Sequence, residues 1–222
     1  MTSSPSLPVD GFGKTLLDYP RPSVAVDTAL LTVHDGGLKV LLVPHPGAGL
    51  GWALPGTFVR PGERLADAVL RSLREKAGVS GRDPQQLHVF DEPGRDERGW
   101  VLSVAHVDVV PFGELPAGVK LISVTEFAGA RVAQVRELPY DHAQIIDYAV
   151  AQVRSQYLSA PDPGGLLTPP FTLKELRELH EAVRGESLQR DTFRRAMEPQ
   201  LVATGEISDG TKGRPAALFM PY

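Results

Sequence analysis

The chain has 222 residues, of which 42% are hydrophobic and 23% charged, with a formal net charge of −4 and no cysteine. This composition predicts a globular protein of one or two domains, and it excludes disulfides, thiolate metal sites and cysteine nucleophiles. Since no apolar run approaches transmembrane length and the N-terminus lacks a signal-peptide pattern, we expect a cytoplasmic protein without a membrane partner.

The first part of the chain alternates between strand and helix patterns. Residues 1–20 contain many Ser, Pro and Gly residues and are predicted to form a loose N-terminal arm. From Ser23, two β-rich runs flank Asp35-Gly36-Gly37, a sequence typical of a β-hairpin. Residues 54–79 then predict a loop followed by a helix that ends at Gly78.

Three further strands and a closing helix follow. The strand patterns are LHVFDE (87–92), WVLSVAHVDVV (100–110) and VKLISV (119–124), the second being apolar enough to be central. Asp141–Tyr157 has the apolar stripe of an amphipathic helix. Strands on both sides of a first helix, with a second helix closing the unit, predict an α/β/α sandwich on a mixed sheet over residues 21–157.

The composition changes at residues 158–170, LSAPDPGGLLTPP, which we interpret as a linker between two domains. Beyond it, Thr172 begins a capping-box pattern at the start of a helix that ends at Gly185. Ser187 is the expected cap of a second helix, and two strand-like runs around a glycine-containing turn complete the pattern. Residues 171–222 are therefore predicted to form a small winged helix-turn-helix domain.

Positive charge in this second domain is concentrated on the second helix and on the hairpin. A recognition helix contacts base edges through its early residues, while a basic wing contacts phosphates or the minor groove. The alternative is a solvated helix face beside a hairpin that only packs. The predicted DNA contacts are Gln189, Arg190, Thr192, Arg194 and Arg195 on the helix and Lys212 and Arg214 at the hairpin tip.

The loop and helix of residues 54–79 resemble a Nudix box, the motif that holds a magnesium-bound diphosphate in Nudix hydrolases. The residues that match its pattern are Glu63, Arg71, Leu73, Glu75, Gly78 and Val79. Three positions depart from it, because Thr57 replaces the first glycine and Ser72 and Lys76 replace two glutamates of the helix. An ordinary amphipathic helix behind a turn is the alternative interpretation.

The departures bear on metal binding, because residues 72, 75 and 76 share one face of a helix. Three carboxylates there would coordinate a hard cation, but this face carries a hydroxyl, one carboxylate and an ammonium. The ammonium of Lys76 would repel a cation placed beside it. We therefore predict a retained scaffold without catalytic or metal-binding residues, for which a role of Mg²⁺ is doubtful.

A second segment supports a pocket for a nucleotide diphosphate. Pro93–Gly99 resembles the Pro-x-Arg-Asp-x-Arg segment of ADP-ribose-type Nudix domains, and the planar fork of arginine suits phosphate oxygens. A charged loop between two strands is the alternative. Trp52 is expected in the core, with stacking on an adenine as the alternative. Asp141-His142 resembles the Asp-His pair at the start of the closing helix in such domains, and Asp141 is expected to cap that helix. The predicted ligand contacts are Arg60, Glu63, Arg71, Glu75, Arg95, Asp96 and Arg98.

Short phrases in the second domain point to one family. They are Phe193-Arg194-Arg195, Thr204-Gly205 and Gly213-Arg214-Pro215-Ala216. Together with the degenerate Nudix box, they resemble the Nudix-related transcriptional regulators of NAD metabolism, the NrtR family, from about Ser23 to the last residue. The resemblance implies a homodimeric repressor of NAD biosynthesis or salvage genes that binds palindromic double-stranded operators. It also implies ADP-ribose as the effector that relieves repression, with no required cofactor.

The sequence leaves two other functions open. One is a Mg²⁺-dependent hydrolase of ADP-ribose or a related nucleoside diphosphate, in which Glu63 and Glu75 are joined by Glu92, Asp96 or Glu126. The other is a nucleotide sensor whose C-terminal domain binds protein. Release of AMP from ADP-ribose would identify the hydrolase, and lack of a specific DNA site would indicate the protein-binding sensor.

Overall fold

The computed structural model describes residues 7–45, 47, 51–124, 138–208 and 215–222. Within these residues, none of the helices is both long and apolar enough to cross a membrane. The strands are β1 Ser23–His34, β2 Gly37–Pro44, β3 Trp52–Ala53, β4 Gly56–Phe58, β5 Gln85–Phe90, β6 Val101–Val109, β7 Lys120–Ser123, β8 Phe171–Thr172, β9 Leu201–Ile207 and β10 Ala217–Pro221. The α-helices are α1 Leu65–Ser72, α2 His142–Gln156, α3 Leu173–Arg184 and α4 Arg190–Met197.

The first seven strands form one mixed sheet around β1. Its order is β3-β2-β1-β6-β5, with β4 added beside β1 and β7 beside β2. β1 and β6 run parallel from the pair Ser23 and Val101 to the pair Leu31 and Val109, whereas the other strand pairs in the sheet are antiparallel. The hairpin between β1 and β2 turns at Asp35 (φ 50°) and Gly36 (φ 69°), as a two-residue turn requires.

Alternate residues of β1 bury opposite faces of this sheet. Val26 and Leu30 belong to the apolar cluster that includes Val69 of α1 and Leu73, which follows α1 directly; α1 and the turn after it are called the box helix below. Ala29 and Leu31 belong to a second cluster, which includes Ile145, Ile146, Ala149 and Val153 of α2. Because successive side chains of a strand point to opposite faces, α1 and α2 cover the two sides of the sheet. The predicted α/β/α sandwich on a mixed sheet is confirmed.

The helix of the Nudix-like stretch passes from α-helical to π-helical geometry before it ends. After α1, the chain continues as a π-helical turn over Leu73–Ala77, which the sequence did not indicate. The predicted end at Gly78 is confirmed, since this residue has the left-handed conformation (φ 67°). The π-helical turn places Lys76 where its ammonium donates a hydrogen bond to the backbone carbonyl of Gly56.

The C-terminal residues form the predicted winged helix. Thr172 and Glu175 make a reciprocal capping box at the start of α3, and Gly185 ends this helix in the left-handed conformation (φ 73°). The prediction that Ser187 caps the second helix of this domain, α4, is wrong. Gln189 takes that position, because its backbone is extended and its side-chain oxygen accepts a hydrogen bond of 2.6 Å from the amide of Thr192. Strands β8, β10 and β9 form the accompanying three-stranded sheet.

The proline-rich connection between the domains is held by one carboxylate. Asp162 accepts a hydrogen bond of 2.6 Å from the hydroxyl of Tyr157, at the end of α2. It also accepts bonds of 3.0 and 2.8 Å from the amides of Leu166 and Leu167. The segment interpreted as a linker is therefore folded back onto the first domain by specific contacts.

Aromatic rings join the two domains at the same place. Tyr157 is fully buried and lies edge-on to His180 of α3, with ring centroids 5.1 Å apart. His180 lies edge-on to Phe193 of α4 at 4.9 Å, and its Nε2 donates to the carbonyl of Pro161. Burial lowers the pKa of His180 below its ordinary value. One apolar cluster thus runs from the sheet of the first domain into the winged helix.

Replacing Asp162 by alanine is expected to lower the free energy of unfolding by about 1–3 kcal/mol, because three donors would lose their acceptor. Urea denaturation of the full chain measures the change. Asp162→Asn keeps one acceptor oxygen and is expected to fall between the wild type and Asp162→Ala. Equal stability of the three proteins would show that this carboxylate does not hold the connection.

Candidate functional site

A cavity of about 650 Å³ opens in the first domain beside the Nudix-like loop. Its walls come from β1, the end of β2, β3 and β4, the end of the box helix, the loop after β5 and the start of α2. This volume lies within the usual range for small-molecule sites. Charged and ring-bearing side chains lie around it.

The base of the cavity contains the buried carboxylate of Asp27. The Ser103 hydroxyl donates to it at 2.5 Å, and Nε2 of His142 lies 3.4 Å away. Nδ1 of His142 accepts a hydrogen bond of 3.1 Å from the amide of Leu54, so Nε2 carries a ring proton and faces Asp27. Burial opposes ionisation of Asp27, but His142 and Ser103 hold its pKa below the ordinary value.

Gly56 lies directly above this carboxylate. A Cβ atom at this position would lie 1.8 Å from Oδ1 of Asp27, which no side chain could tolerate. The glycine of the Leu-Pro-Gly sequence before the box is therefore required by close packing. Its carbonyl accepts the hydrogen bond from Lys76, whose pKa burial lowers although the nearby Asp27 opposes this shift.

Arg95 forms part of the cavity wall and retains an unused donor. Its side chain is only 3% exposed, and its Nε donates to the carboxylate of Asp141 at 2.5 Å. Its Nη2 is buried and has no hydrogen-bond partner among the described residues. Asp141 occupies the predicted N-cap position of α2, but its carboxylate pairs with Arg95 and makes no capping bond. Arg95 thus lines the cavity with one donor that no described residue satisfies.

Arg98 and Asp96 form a second charged pair in the wall. The guanidinium donates two bonds to the carboxylate, of 2.8 and 2.6 Å, which raises the pKa of Arg98 and lowers that of Asp96. The guanidinium also lies over the rings of Phe58 and Tyr140, at 5.3 Å from each centroid. Three of the predicted ligand contacts, Arg95, Asp96 and Arg98, are thus brought together at one cavity.

The other predicted ligand contacts are not among the described residues that line this cavity. Nε and Nη2 of Arg71 donate to Glu63 at 2.7 and 2.9 Å, and Glu63 also accepts from the amide of Arg60 at 2.9 Å. Arg71 further donates a hydrogen bond of 3.2 Å to the hydroxyl of Thr57, the residue that replaces the first glycine of the Nudix pattern. Glu75 is half exposed. These hydrogen bonds join the box loop to its helix, so they support the cavity indirectly. Direct contact of these four residues with a ligand stays a prediction.

The box helix does not present a donor set suited to a divalent cation. Ser72 is buried, and its hydroxyl has no hydrogen-bond partner among the described residues. Glu75 lies 3.9 Å from Arg71, and Lys76 places an ammonium beside them. In the part of the chain that the structure describes, no group of three or more His, Asp or Glu residues could hold a metal ion. A Nudix metal site does not fit these side chains.

Several cavity residues were missed by sequence reasoning. The cavity wall includes Asp27, His45, Lys76, Tyr140 and His142, which come from four separate parts of the chain. One signal for them was present in the sequence, the Asp141-His142 pair at the start of the closing helix. Trp52, which we expected in the core, is 40% exposed at the short edge strand β3, and Lys120 lies over its ring at 5.7 Å. That expectation is wrong.

Basic side chains of α3 and α4 lie together in the winged helix, most of them paired with glutamates. A second cavity, of about 670 Å³, lies between these helices and β10, and Lys174, Arg177, Arg190 and Arg194 line it. Lys174 and Arg177, on α3, were not predicted. The five residues predicted on the helix are all exposed: Gln189, Arg190, Thr192, Arg194 and Arg195. Lys212 and Arg214, predicted at the wing tip, lie outside the described residues.

Two of these helix residues make contacts within α4. Arg194 donates to the carboxylate of Glu198 at 2.6 and 3.2 Å, which lowers the pKa of Glu198. Nε of Arg195 donates to the carbonyl of Asp191 at 3.2 Å. Both guanidinium groups stay at the surface, where remaining donors can meet phosphate oxygens or base edges.

A mixed sheet between helices, a Nudix-like loop and helix beside a charged cavity, and an attached winged helix define a Nudix-fold protein with a second domain of the DNA-binding type. Family models agree with both parts. The NUDIX domain model matches residues 23–153, and the NrtR DNA-binding winged helix domain model matches residues 163–220. The chain belongs to the NrtR family.

Relatives with both domains are similar along most of the chain. The ADPR-responsive transcriptional repressor NtrR of Acinetobacter baylyi is 30% identical over 208 residues, which cover 91% of this chain and 83% of the relative. The crystal structure of Shewanella oneidensis NrtR with a 27mer DNA is 34% identical, with a TM-score of 0.73 and coverage of 90% and 93%. The NUDIX domain of that protein with ADP ribose is 30% identical, with a TM-score of 0.52 and coverage of 64% and 95%.

Replacing Glu63 by glutamine is expected to remove a pH-dependent part of the stability. The hydrogen bond from Arg71 lowers the pKa of Glu63 from 4.5 to about 2. Ionised Glu63 therefore stabilises the fold above about pH 4.5, and this contribution is lost as the pH falls towards 2. Urea denaturation across this range should show that the difference between wild type and Glu63→Gln narrows with acid.

The exposed Glu92 provides the control for this titration. Glu92→Gln removes the same ionisable group but leaves the pair of Glu63 and Arg71 intact, so little change in stability is expected. A difference between wild type and Glu63→Gln that stays constant across the pH range would contradict the role given to the pair.

Proposed function

We propose that this protein is a transcriptional repressor of NAD biosynthesis or salvage genes that binds ADP-ribose as its effector. Residues 21–157 form the effector domain, residues 171–222 bind operator DNA, and residues 158–170 connect them. Residues 1–20 form an N-terminal arm. Membership of the NrtR family supports the proposal, as do the DNA and ADP-ribose complexes of the Shewanella oneidensis relative. We place the protein in the cytoplasm, with its operator.

The unpaired Nη2 atom of Arg95 carries the effector part of this proposal. A buried cationic donor without a partner costs free energy, and a phosphate oxygen in the cavity would satisfy it after a small movement of the Arg95 side chain, which lines the cavity. Arg98 and Lys76 add positive charge to the same cavity. ADP-ribose offers two linked phosphates to these groups, with a nucleoside and a ribose that can extend along the remaining cavity wall.

The exposed arginines of α4 carry the DNA part. Arg190, Arg194 and Arg195 face solvent, and Arg190 and Arg194 line the space between α4 and the C-terminal strand. A winged helix places such a helix in the major groove and its hairpin beside the backbone. A homodimer would pair two such helices on a palindromic operator, with half-sites about one helical turn apart or a multiple of it.

ADP-ribose is expected to reduce operator affinity about 5- to 150-fold, because an effector that prefers one arrangement of the protein shifts the population away from the DNA-bound arrangement. A mobility-shift assay on DNA from the promoter region of the protein's own gene, with and without ADP-ribose, measures the effect. Salt should weaken the complex steeply. Equal retention of promoter and scrambled DNA would overturn the proposal.

Arg195→Ala separates the two activities in the same assay. It is expected to weaken operator binding by about 1–3 kcal/mol and to leave the affinity for ADP-ribose unchanged. Arg74→Ala removes the same charge from an exposed helical position of the effector domain and should leave operator binding unchanged. Loss of both affinities in Arg195→Ala would indicate misfolding, and unchanged DNA binding would remove this residue from the interface.

Incubation with ADP-ribose and Mg²⁺ is expected to release no AMP above the uncatalysed background. The reason is that the box helix presents Ser72 and Lys76 where a hydrolytic cation would need carboxylates. Chromatographic detection of AMP over time measures the activity. Turnover on the order of 1 per second would restore the hydrolase as the function of this domain.

A further inference from the structure

Lys76 occupies a defined place in the wall of the effector cavity. Its ammonium is fixed by donation to the carbonyl of Gly56, which lies directly over the buried carboxylate of Asp27. An ammonium has three donors, so two remain for other acceptors. The group is therefore held at the mouth of the box loop and still has bonding capacity towards the cavity.

The charge of Lys76 is not neutralised by direct pairing among the described residues. The other two cations of the cavity wall are paired, Arg95 with Asp141 at 2.5 Å and Arg98 with Asp96 at 2.6 Å. Lys76 has no carboxylate within ion-pair distance in the described part of the chain. Its unpaired positive charge thus faces the space that an anionic ligand would enter.

We propose that the Lys76 ammonium is a tethered cation that binds the phosphate oxygens of the effector directly, so that nucleotide diphosphate binding needs no divalent metal ion. The inference rests on the proposed function, because it takes the cavity as the effector site. A cation attached to the chain needs no carboxylate ligands, which accounts for serine at position 72. A glutamate there, one turn before Lys76, would compete for the ammonium.

The hydrogen bond that restrains Lys76 lowers the entropic cost of ligand binding relative to a lysine side chain that moves freely. The bond to Gly56 removes rotamer freedom before the ligand arrives, so less conformational entropy is lost on binding. The ammonium would act as a compact charge on the diphosphate, while Nη2 of Arg95 would supply a directed donor. Together they would replace the neutralisation that a bound metal ion gives to a diphosphate.

Calorimetric titration of the full chain with ADP-ribose, once in EDTA and once in MgCl₂, tests the inference. The two dissociation constants of the wild type are expected to agree within about twofold. Lys76→Met should weaken binding about 10- to 100-fold in both buffers, the effect of losing one charge-assisted hydrogen bond. Lys76→Glu should abolish binding in EDTA and recover part of it in MgCl₂, because a carboxylate there gives a metal ion a ligand beside Glu75.

Lys39→Met is the matched control, because it removes the same charge from a half-buried lysine of β2 outside the cavity wall. It should bind ADP-ribose as the wild type does. Lys76→Met should still bind operator DNA, which shows that it is folded, but its complex should resist release by ADP-ribose.

The possible failures are distinguishable. Binding by the wild type only in MgCl₂ would overturn the tethered cation and leave the effector site in place. Unchanged binding by Lys76→Met would overturn it as well. Lack of ADP-ribose binding in both buffers would overturn the proposed function and, with it, this inference.

Discussion

A buried carboxylate, Asp27, lies where four elements of the first domain meet. It belongs to the central strand β1, it leaves room only for glycine on β4, it accepts the hydroxyl of Ser103 on β6, and it faces His142 at the start of α2. An ionised group in such a place is stable only when its surroundings satisfy it. The position of the cavity therefore depends on these neighbours, and so do the orientation of the Gly56 carbonyl and the location of Lys76.

The charges of the cavity wall have different roles because their partners differ. Arg98 donates two hydrogen bonds to Asp96 and lies over two aromatic rings, and these contacts hold the loop after β5. Arg71 and Glu63 join the box loop to its helix away from the cavity. Arg95, Arg98 and Lys76 all line the cavity, and each retains a donor that an anion there would have available. The Nudix scaffold has thus kept its framework pair while its metal-binding face has changed.

The extent to which sequence predicts this structure depends on how local each feature is. The hairpin at Asp35, the end of the box helix at Gly78 and the capping box at Thr172 follow from a few neighbouring residues, and all were predicted. The N-cap position of Asp141 was predicted, but the use of its carboxylate was not, because Arg95, which binds it, is 46 positions away. The base of the cavity joins Asp27, Ser103 and His142 across the whole domain, and no local pattern reveals such a meeting. The π-helical turn that aims Lys76 was equally invisible.

The ring of Tyr157 has a further consequence for how such proteins can diversify. Phe193 lies on the inner side of α4, and the arginines lie on its outer side. The ring of Phe193 packs edge-on against His180, and His180 packs edge-on against Tyr157 of the other domain. The inner side of α4, the helix that we propose contacts DNA, is thus packed into the apolar cluster shared by the two domains, whereas its outer side is exposed. New operator preferences can arise by exchange of outer residues alone. If the whole winged helix were fused to an unrelated protein, that protein would have to supply an aromatic side chain that packs against His180 as Tyr157 does.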